Sequence, residues 1–246
     1  MTHYEWIRWL LFPIMTVHLQ TVRKDLLKLT KNLKSELNRD ISILDVGGRK
    51  SPYTIGIPAH VTLLDVPQEP GTKAELNLGF TDRIVDTVKQ KRSNISNVVI
   101  QDMTKSQLRD GSYDAVVCVE VIEHVEQDEA FVAHISKVIA DAGWAYFTTP
   151  NGDFIKNEGP DKNKDHIRHY TKHQLEHLLR RYFRKVEVRY AVRTGTYRVN
   201  GLRGFDKKRP WVILKTVLSN LVNKVQSKNV QDRMNGTAHL IAVCYK

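Results

Sequence analysis

Short, continuous runs of apolar residues alternate along this chain with stretches whose apolar residues recur at helical spacing. Helical spacing predicts helices at about 16–38, 81–92, 128–140 and 171–183. Runs typical of buried strands lie at 41–48, 60–66, 97–103, 113–120, 143–150, 185–192 and 237–245. Because strands that are apolar throughout are covered on both faces, their alternation with helices predicts an α/β fold around a mostly parallel sheet.

The same pattern divides the chain into three parts. Residues 1–39 form an N-terminal helical region, residues 40–192 and 237–246 carry the strands of one domain, and residues 193–236 are inserted before the last strand. A length of 246 residues suits one α/β domain with an added subdomain. Since only the insertion separates the last two strands, one of them is free to run antiparallel.

The positive charge is concentrated in and around the insertion. The chain carries a net charge of +11, and between Arg184 and Arg233 there are 13 Lys or Arg residues against three acids. A basic segment of this kind suits phosphates, whether of nucleic acid, of a nucleotide-linked substrate or of an anionic membrane, although a solvated surface is the alternative. The insertion is therefore predicted to face a substrate or a membrane.

The cysteines and the N-terminus bear on where the protein works. Cys118 and Cys244 are the only cysteines and lie in strand-like runs, which is typical of reduced core residues in a cytosolic protein and excludes a cysteine-based zinc site. The apolar run Leu10–Val17 is too short to cross a membrane, and with acidic Glu5 before it and no small-residue cleavage site after it we expect a poor signal peptide. It could lie on a membrane surface with nearby Trp6 and Trp9 at the interface, or pack on its own domain, which we favour. We expect a cytoplasmic protein, with peripheral membrane contact as the alternative.

Acidic residues follow three of the predicted strands. Asp45, Asp65 and Asp102 each stand where a strand reaches the edge of the sheet, and Gly47 and Gly48 follow the first. Ligands of open parallel sheets bind beyond these carboxyl ends. An acid 20 residues after Asp45 suits a ribose diol, and Asp102 could accept a hydrogen bond from an adenine amino group. The loop GGRKSPY departs from the G-x-G-x-x-G pattern, so a turn glycine pair with a capping aspartate is the alternative.

The chain resembles the class I S-adenosylmethionine-dependent methyltransferases in five segments over about residues 40–190: ILDVGG, LLDV, VIQDM, YDAVVCVEVIEHV and GWAYFTTPN. The resemblance implies a doubly wound, Rossmann-like sheet of seven strands with the last antiparallel. It also implies S-adenosylmethionine as methyl donor. The donor site that it implies consists of Asp65 on the ribose, Asp102 near the adenine, Gly47 and Gly48 along the methionine part, and Asp45, Met103 and Val119.

The segment EVIEH is similar to two subgroups of this family that use a divalent metal, the ubiquinone-pathway O-methyltransferases and the enzymes that methylate the terminal ribose 2′-hydroxyl of small RNAs. If a helix begins directly after the strand, Glu120, Glu123 and His124 share one of its faces, and His166 matches a later histidine of the RNA enzymes. This set suits Mg²⁺ or Mn²⁺, which would lower the pKa of a substrate hydroxyl. The alternative is a histidine that bonds substrate or backbone without a metal.

The segment DHIRHYT resembles loops that cover the substrate in methyltransferases of sugar and lipid pathways. His166 or His169 could be a general base. The alternative is that some of His166, Arg168, His169 and Tyr170 only fix the loop, and we favour function for His166. The predicted catalytic residues are His166, His124 and Glu120.

Three functions remain open at this point. The first is O-methylation of a hydroxyl on a small, sugar-linked or lipid-linked acceptor. The second is methylation of an RNA ribose, supported by the net charge and opposed by the low aromatic content of 8% and by the absence of an evident RNA-binding module. The third is a non-catalytic scaffold of the same fold.

Overall fold

A computed structural model describes residues 2–67, 80–160, 162–194 and 210–246. It confirms a sheet of seven strands in the order β3-β2-β1-β4-β5-β7-β6, in which β7 runs antiparallel to both of its neighbours and the other pairs are parallel. The strands are β1 Ser42–Val46, β2 His60–Asp65, β3 Ile95–Ile100, β4 Tyr113–Val119, β5 Ile139–Pro150, β6 Lys185–Arg193 and β7 Thr237–Tyr245.

Six α-helices accompany the sheet in the described part of the chain. They are α1 His3–Leu10, α2 Val17–Leu37, α3 Asp82–Lys91, α4 Asp128–Val138, α5 Lys172–Arg180 and α6 Pro210–Gln226. Thr171 caps α5, because its hydroxyl accepts a hydrogen bond from the Gln174 amide. None of the described helices combines the length and the apolar character that a membrane span requires.

Alternate residues of the central strand β4 enter two separate apolar cores. Val116 and Cys118 pack with α4 and α5, whereas Ala115 and Val117 pack with α2. Successive side chains of a strand point to opposite faces, so this division shows that both faces of the sheet are covered. The continuous apolar runs in the sequence have this cause.

The connection between β1 and β2 contains no α-helix. Residues 47–59 form one 3-10 turn at Gly48–Lys50 and then a coil whose Tyr53 and Ile57 enter the core beside α2. Parallel neighbours in α/β sheets are usually joined through a helix. Here α2, which precedes β1 in the sequence, and this coil cover that face of the sheet instead.

The predicted insertion begins within β6 and is described from Pro210 onward, where α6 starts. Gly201, Gly204 and most of the cluster of basic residues before α6 lie outside the described residues. The helix α6 packs against β6, α2 and the 3-10 turn Phe12–Ile14. The insertion is therefore held against the N-terminal region.

Candidate functional site

The acids after the first three strands lie at the same edge of the sheet. The register pairs Asp45 of β1 with Leu63 of β2, and Asp65 of β2 with Ile100 of β3. Asp102 follows β3 by two residues and accepts a hydrogen bond of 2.8 Å from the Thr104 amide. The carboxyl ends of β1, β2 and β3 therefore border one crevice, where sheets of this type bind ligands.

The two glycines after β1 stand where a side chain would collide with the protein. Gly47 has a φ of +72°, and a Cβ there would come within 2.5 Å of the Val121 Cγ2 atom. A Cβ on Gly48 would lie 2.7 Å from the Asp45 carboxyl carbon. The protein's own side chains therefore fill the space beside both glycines, and only glycine fits at these two positions.

Asp45 faces the interior and not the crevice. Its side chain is fully buried, and it accepts hydrogen bonds from Ser51 Oγ at 2.5 Å, Thr54 Oγ1 at 2.8 Å and Tyr53 Oη at 3.4 Å. Burial raises its pKa to about 6, although these hydroxyls and the charge of Arg92 oppose the rise. Asp45 therefore holds the loop that follows β1.

The other residues predicted for the donor site occupy the same edge. Asp65 is partly exposed at the end of β2, with its pKa raised by burial, and Asp102 is exposed. Met103 and Val119 are buried, the first in the core that faces α4 and the second at the end of β4 in the core that faces α2. The edge thus offers two accessible carboxylates and apolar walls.

The segment after β4 does not form the helix that the sequence suggested. Only one 3-10 turn, Ile122–His124, follows the strand, and Glu120 has a φ of +55° in the left-handed region. The prediction that Glu120, Glu123 and His124 share one face of a helix was therefore wrong. The unusual turn sends the Glu120 carboxylate to one side and Glu123 and His124 to the other.

Glu123, His124 and His166 come together as predicted. One possible ligand atom of each lies within 4.8 Å of the other two. The two imidazoles meet edge to face, with ring centroids 4.7 Å apart. The predicted fourth member of this set, Glu120, belongs instead to a second cluster described below.

Carbonyl groups fix which nitrogen of each ring carries the proton. His124 Nδ1 lies 2.7 Å from the Asp165 carbonyl oxygen, and a carbonyl can only accept, so Nδ1 donates and the lone pair of a neutral ring is on Nε2. His169 Nδ1 donates in the same way to the Ile155 oxygen, so its Nε2 accepts the hydrogen bond from His166 Nδ1 at 2.7 Å. His166 therefore also carries its lone pair on Nε2.

Burial shifts the charge state of this cluster. Glu123 is fully buried, and neither carboxylate oxygen has a hydrogen-bond partner among the residues that the structure describes. Burial, with the charge of Glu120, raises the pKa of Glu123 well above its usual range. Burial, with neighbouring His124 and His169, lowers the pKa of His166 to about 4, so that ring is neutral at neutral pH.

This donor set fits a divalent cation. A buried carboxylate without a partner is costly unless a charge compensates it. The Nε2 lone pairs of His124 and His166 are the form in which imidazole binds metals. A carboxylate and two imidazoles suit Mn²⁺, and Mg²⁺ with added water.

A second cluster joins both ends of the chain at Glu120. Its Oε1 accepts from Thr148 Oγ1 at 2.8 Å and lies 3.3 Å from His239 Nδ1 and 3.6 Å from His18 Nε2. The rings of His18 and His239 stack at 3.9 Å. Burial would raise the pKa of Glu120, but the facing His239 and His18 and the Thr148 hydroxyl hold it well below its usual range.

Sequence reasoning missed His18, Thr148 and His239. His18 begins α2 and His239 lies in the apolar run of β7, where a histidine reads as an ordinary core residue. Only the pairing of His239 with Pro150 across β7 and β5 brings it to the end of β5, near Glu120. No local signal in the sequence would have identified these three residues.

The loop that carries His166 is held by its neighbours. The amide of Ile167 donates to the backbone carbonyl oxygen of Glu123 at 2.8 Å. The side chains of Arg168 and Tyr170 donate to the carboxylate of Asp128 at 2.5 and 2.6 Å. Arg168 and Tyr170 thus fix the loop. A cavity of about 550 Å³ lies behind it, lined by His169, His173 and His177 but not by Glu123 or His166.

The chain was also compared with known proteins. A family model described as a methyltransferase domain matches residues 18–184. The chain is 28% identical over 112 residues to the ubiquinone biosynthesis O-methyltransferase of Thiobacillus denitrificans, covering 44% of each protein. It is 24% identical over 119 residues to the mitochondrial one of Dictyostelium discoideum, covering 47% of this chain and 37% of that protein. The match thus spans less than half of these relatives.

Solved structures share the fold at lower identity. A methyltransferase from Archaeoglobus fulgidus, described as S-adenosylmethionine-dependent, aligns with a TM-score of 0.53 at 13% identity, over 88% of this chain and 92% of that one. The Haemonchus contortus phosphoethanolamine N-methyltransferase 2, in complex with S-adenosylmethionine, aligns with a TM-score of 0.51 at 14% identity, over 84% and 49%. At such identities the likeness shows the fold alone.

Proposed function

This chain belongs to the class I S-adenosylmethionine-dependent methyltransferases, and from that premise we propose that it methylates a hydroxyl on a small, sugar-linked or lipid-linked acceptor. The observation that carries the proposal is the convergence of Glu123, His124 and His166 beside the end of β4, where one possible ligand atom of each lies within 4.8 Å of the other two. A hydroxyl oxygen is a weak nucleophile, so its methylation requires a group that deprotonates or polarises it, and this cluster can supply such a group. The name O-methyltransferase of the curated relatives supports the same choice.

The crevice residues would hold the donor. Asp65, partly exposed at the end of β2, would accept hydrogen bonds from a ribose diol, and Asp102 from an adenine amino group. Gly47 and Gly48, in the tight turn after β1, would lie along the methionine part. When bound, S-adenosylmethionine supplies a methyl group on a positively charged sulfur that leaves as a neutral thioether.

His166 is the residue best prepared to take the acceptor's proton. Its ring is neutral at neutral pH, and its Nε2 carries the lone pair because Nδ1 donates to His169. As the hydroxyl oxygen forms its bond to the methyl carbon and the carbon–sulfur bond breaks, the hydroxyl proton passes to this nitrogen. His169 is excluded as the base, since both of its ring nitrogens are engaged.

The metal remains part of the proposal. With a metal bound, the Nε2 atom of His166 would be a ligand and could not also take the acceptor's proton. In that form Glu123, His124 and His166 would hold a Mg²⁺ or Mn²⁺ ion, which would lower the pKa of a hydroxyl bound next to it, and the hydroxyl proton would leave to solvent. Glu120 would act as a positioning residue, because its carboxylate is engaged by Thr148 and His239. Activity that is unchanged after complete chelation, and not increased by Mg²⁺ or Mn²⁺, would remove the metal from this account.

The direct test is methyl transfer from a labelled donor. The purified protein is incubated with methyl-labelled S-adenosylmethionine and a cell extract, which is then separated into RNA, lipid and small-molecule fractions. We expect label in the lipid or small-molecule fraction, in a linkage with the chemical stability of an ether. Label confined to protein, or an acceptor nitrogen in the product, would contradict the proposal.

Label in the RNA fraction would instead support the ribose 2′-O-methyltransferase. The net charge of +11 favours phosphate contacts, and such binding should weaken steeply with salt. The scaffold alternative predicts no transfer at all. Calorimetry with S-adenosylhomocysteine then distinguishes a scaffold that has lost the donor site from one that retains it.

A further inference from the structure

The helix α6 is amphipathic in the opposite sense to a helix packed on a core. The side chains that it buries against the protein are polar, namely Thr216, Asn220 and Asn223. The Asn220 amide donates to the carbonyls of Ile14 and Met15 at 2.8 and 3.0 Å, and Asn223 donates to Arg193 at 2.8 Å. Specific hydrogen bonds, and not apolar burial, therefore hold this helix in place.

The opposite face of α6 is apolar and exposed. Leu214, Leu218, Leu221 and Val225 follow one another at intervals of four, three and four residues, which places them on one stripe. Their side chains are 48–63% exposed, and Trp211 at the start of the helix is 79% exposed. A helix on a water-exposed surface normally buries its apolar side and exposes its polar side. The exposed apolar stripe of α6 therefore suits contact with an apolar environment.

The helix α1 extends this exposed apolar surface. Both α1 and α6 pack against the turn Phe12–Ile14, and α1 exposes Trp6, Trp9 and Leu10 to 52–54%. The buried side of α1 is polar as well, because Glu5 accepts hydrogen bonds from the Ser93 amide and hydroxyl at 2.9 and 2.8 Å. Two neighbouring helices thus turn tryptophan and leucine outward, and tryptophan is enriched where a bilayer meets water.

Positive charge surrounds this surface. At 100° per residue, exposed Lys215 and Lys224 flank the apolar stripe of α6 on either side. Residues 210–231 include three Lys and no acid. A cavity of about 270 Å³ between α1 and α3 is lined by further basic residues, namely Arg8, Arg49, Lys50, Lys91 and Arg92. A partner for this surface should be apolar in its interior and negative at its rim.

We propose that the exposed faces of α1 and α6 dock on the surface of an anionic lipid bilayer. The apolar stripes would enter the boundary between headgroups and acyl chains, with the lysines among the lipid phosphates. An apolar face rimmed by cations matches this layered chemistry, whereas two copies of the same cationic face would repel each other. Docking would place the methylation site next to the membrane, where lipid-linked acceptors are found.

Vesicle sedimentation tests the apolar part of this surface. The full-length protein is mixed with phosphatidylcholine vesicles that contain either no phosphatidylglycerol or a third of it. We expect binding to the anionic vesicles, with a partition coefficient about a hundredfold lower for the double variant Leu218→Gln, Val225→Gln. The matched control is Ile100→Gln, an exposed apolar residue on the edge strand β3, which should bind like the unaltered chain.

The charged rim is tested with Lys215→Glu, Lys224→Glu. This variant should lose binding to anionic vesicles, and raising the salt concentration should weaken the unaltered chain in the same direction. Calorimetry with S-adenosylhomocysteine should give the same affinity for the unaltered chain and for both α6 variants, which separates failure at the membrane from failure of the methylation site. Equal sedimentation of every variant would overturn the proposal. So would a dimer in lipid-free solution that the Leu218→Gln, Val225→Gln variant abolishes, since the surface would then be an interface between copies.

Discussion

At the scale of single residues, the site depends on where protons are placed. Backbone carbonyls at Asp165 and Ile155 direct the N–H groups of His124 and His169 away from the site. Through His169, the second carbonyl also directs the N–H of His166. Nδ1 of His124 and Nδ1 of His166 are therefore both engaged as donors beside the buried Glu123, with no ionised partner needed to orient the rings.

The assignment of His166 as proton acceptor predicts a large kinetic effect. His166→Ala should lower kcat by about 10²–10⁴-fold, as loss of a general base does, while affinity for S-adenosylhomocysteine stays the same. His134→Ala is the matched control, because that ring bonds the Ala130 carbonyl within its own helix. Steady-state kinetics on the acceptor identified from the extract give the measurement, and a His166→Ala enzyme with near-normal kcat would remove this residue from the mechanism.

The raised pKa of Asp45 predicts that the free energy of unfolding depends on pH. Its folded pKa of about 6 stands above the ordinary value of 3.8, so between these values the folded state binds more protons than the unfolded state. The resulting stability is present below about pH 4 and is lost as the pH rises through about 6, a change of up to ~3 kcal/mol. Asp45→Asn cannot titrate. Urea unfolding of both proteins from pH 4 to 7 should therefore show their difference in stability changing in this direction, and parallel curves would contradict the assignment.

At the scale of elements, the turns after strands decide what the sheet edge presents. The chain leaves β1 through Gly47 and β4 through Glu120, both at positive φ. These two turns lie side by side, since Val121 occupies the space into which a Gly47 side chain would project. The donor crevice and the acidic-imidazole cluster are thus coupled through one close contact between loops.

Gly47→Ala tests this contact. The new methyl group would collide with Val121, so we expect weaker binding of S-adenosylhomocysteine and a loss of stability larger than the ~1 kcal/mol of backbone strain. Gly111→Ala provides the control, because Gly111 has a similar φ of +65° and nothing within 4 Å of the added atom. It should show the backbone cost alone and normal affinity by calorimetry. Equal effects of the two substitutions would indicate that the contact with Val121 is unimportant.

At the scale of the whole molecule, the site joins parts of the chain that are far apart in sequence. His18 from α2 and His239 from β7 stack on each other and face Glu120 in the middle of the chain. The helix α2 and the last strand, β7, therefore contribute side chains to the Glu120 cluster, although they lie near opposite ends of the chain.

This arrangement predicts energetic coupling between the two ends of the chain. His18→Ala and His239→Ala should each lower stability, because each removes a partner of the Glu120 carboxylate. Their effects should fail to add by about 0.5–3 kcal/mol, measured by urea unfolding of the single and double variants. Pairing His18→Ala with His177→Ala, on a different surface, should give effects that add. Additivity in the first pair would contradict the cluster.

Patterns along the chain alone predicted most of the elements, the class of fold and the residues at the sheet edge. Apolar runs and helical spacing report burial, which is a local property of each segment, and a strand's end follows from its pattern. Asp65, Asp102, Gly47 and Gly48 could be placed at the edge for this reason. Glu123, His124 and His166 came from a resemblance between motifs.

The directions in which the side chains point depend on tertiary contacts and could not be predicted from the sequence. A positive φ at Glu120 turned its carboxylate away from its neighbours in sequence, and hydroxyls from the next loop drew Asp45 inward. His18, Thr148 and His239 reached the site through packing between distant segments. For helix α6, likewise, only the structure shows that the polar side is buried and the apolar side is exposed. Orientation depends on contacts made across the fold, and the spacing of residues along a chain does not contain them.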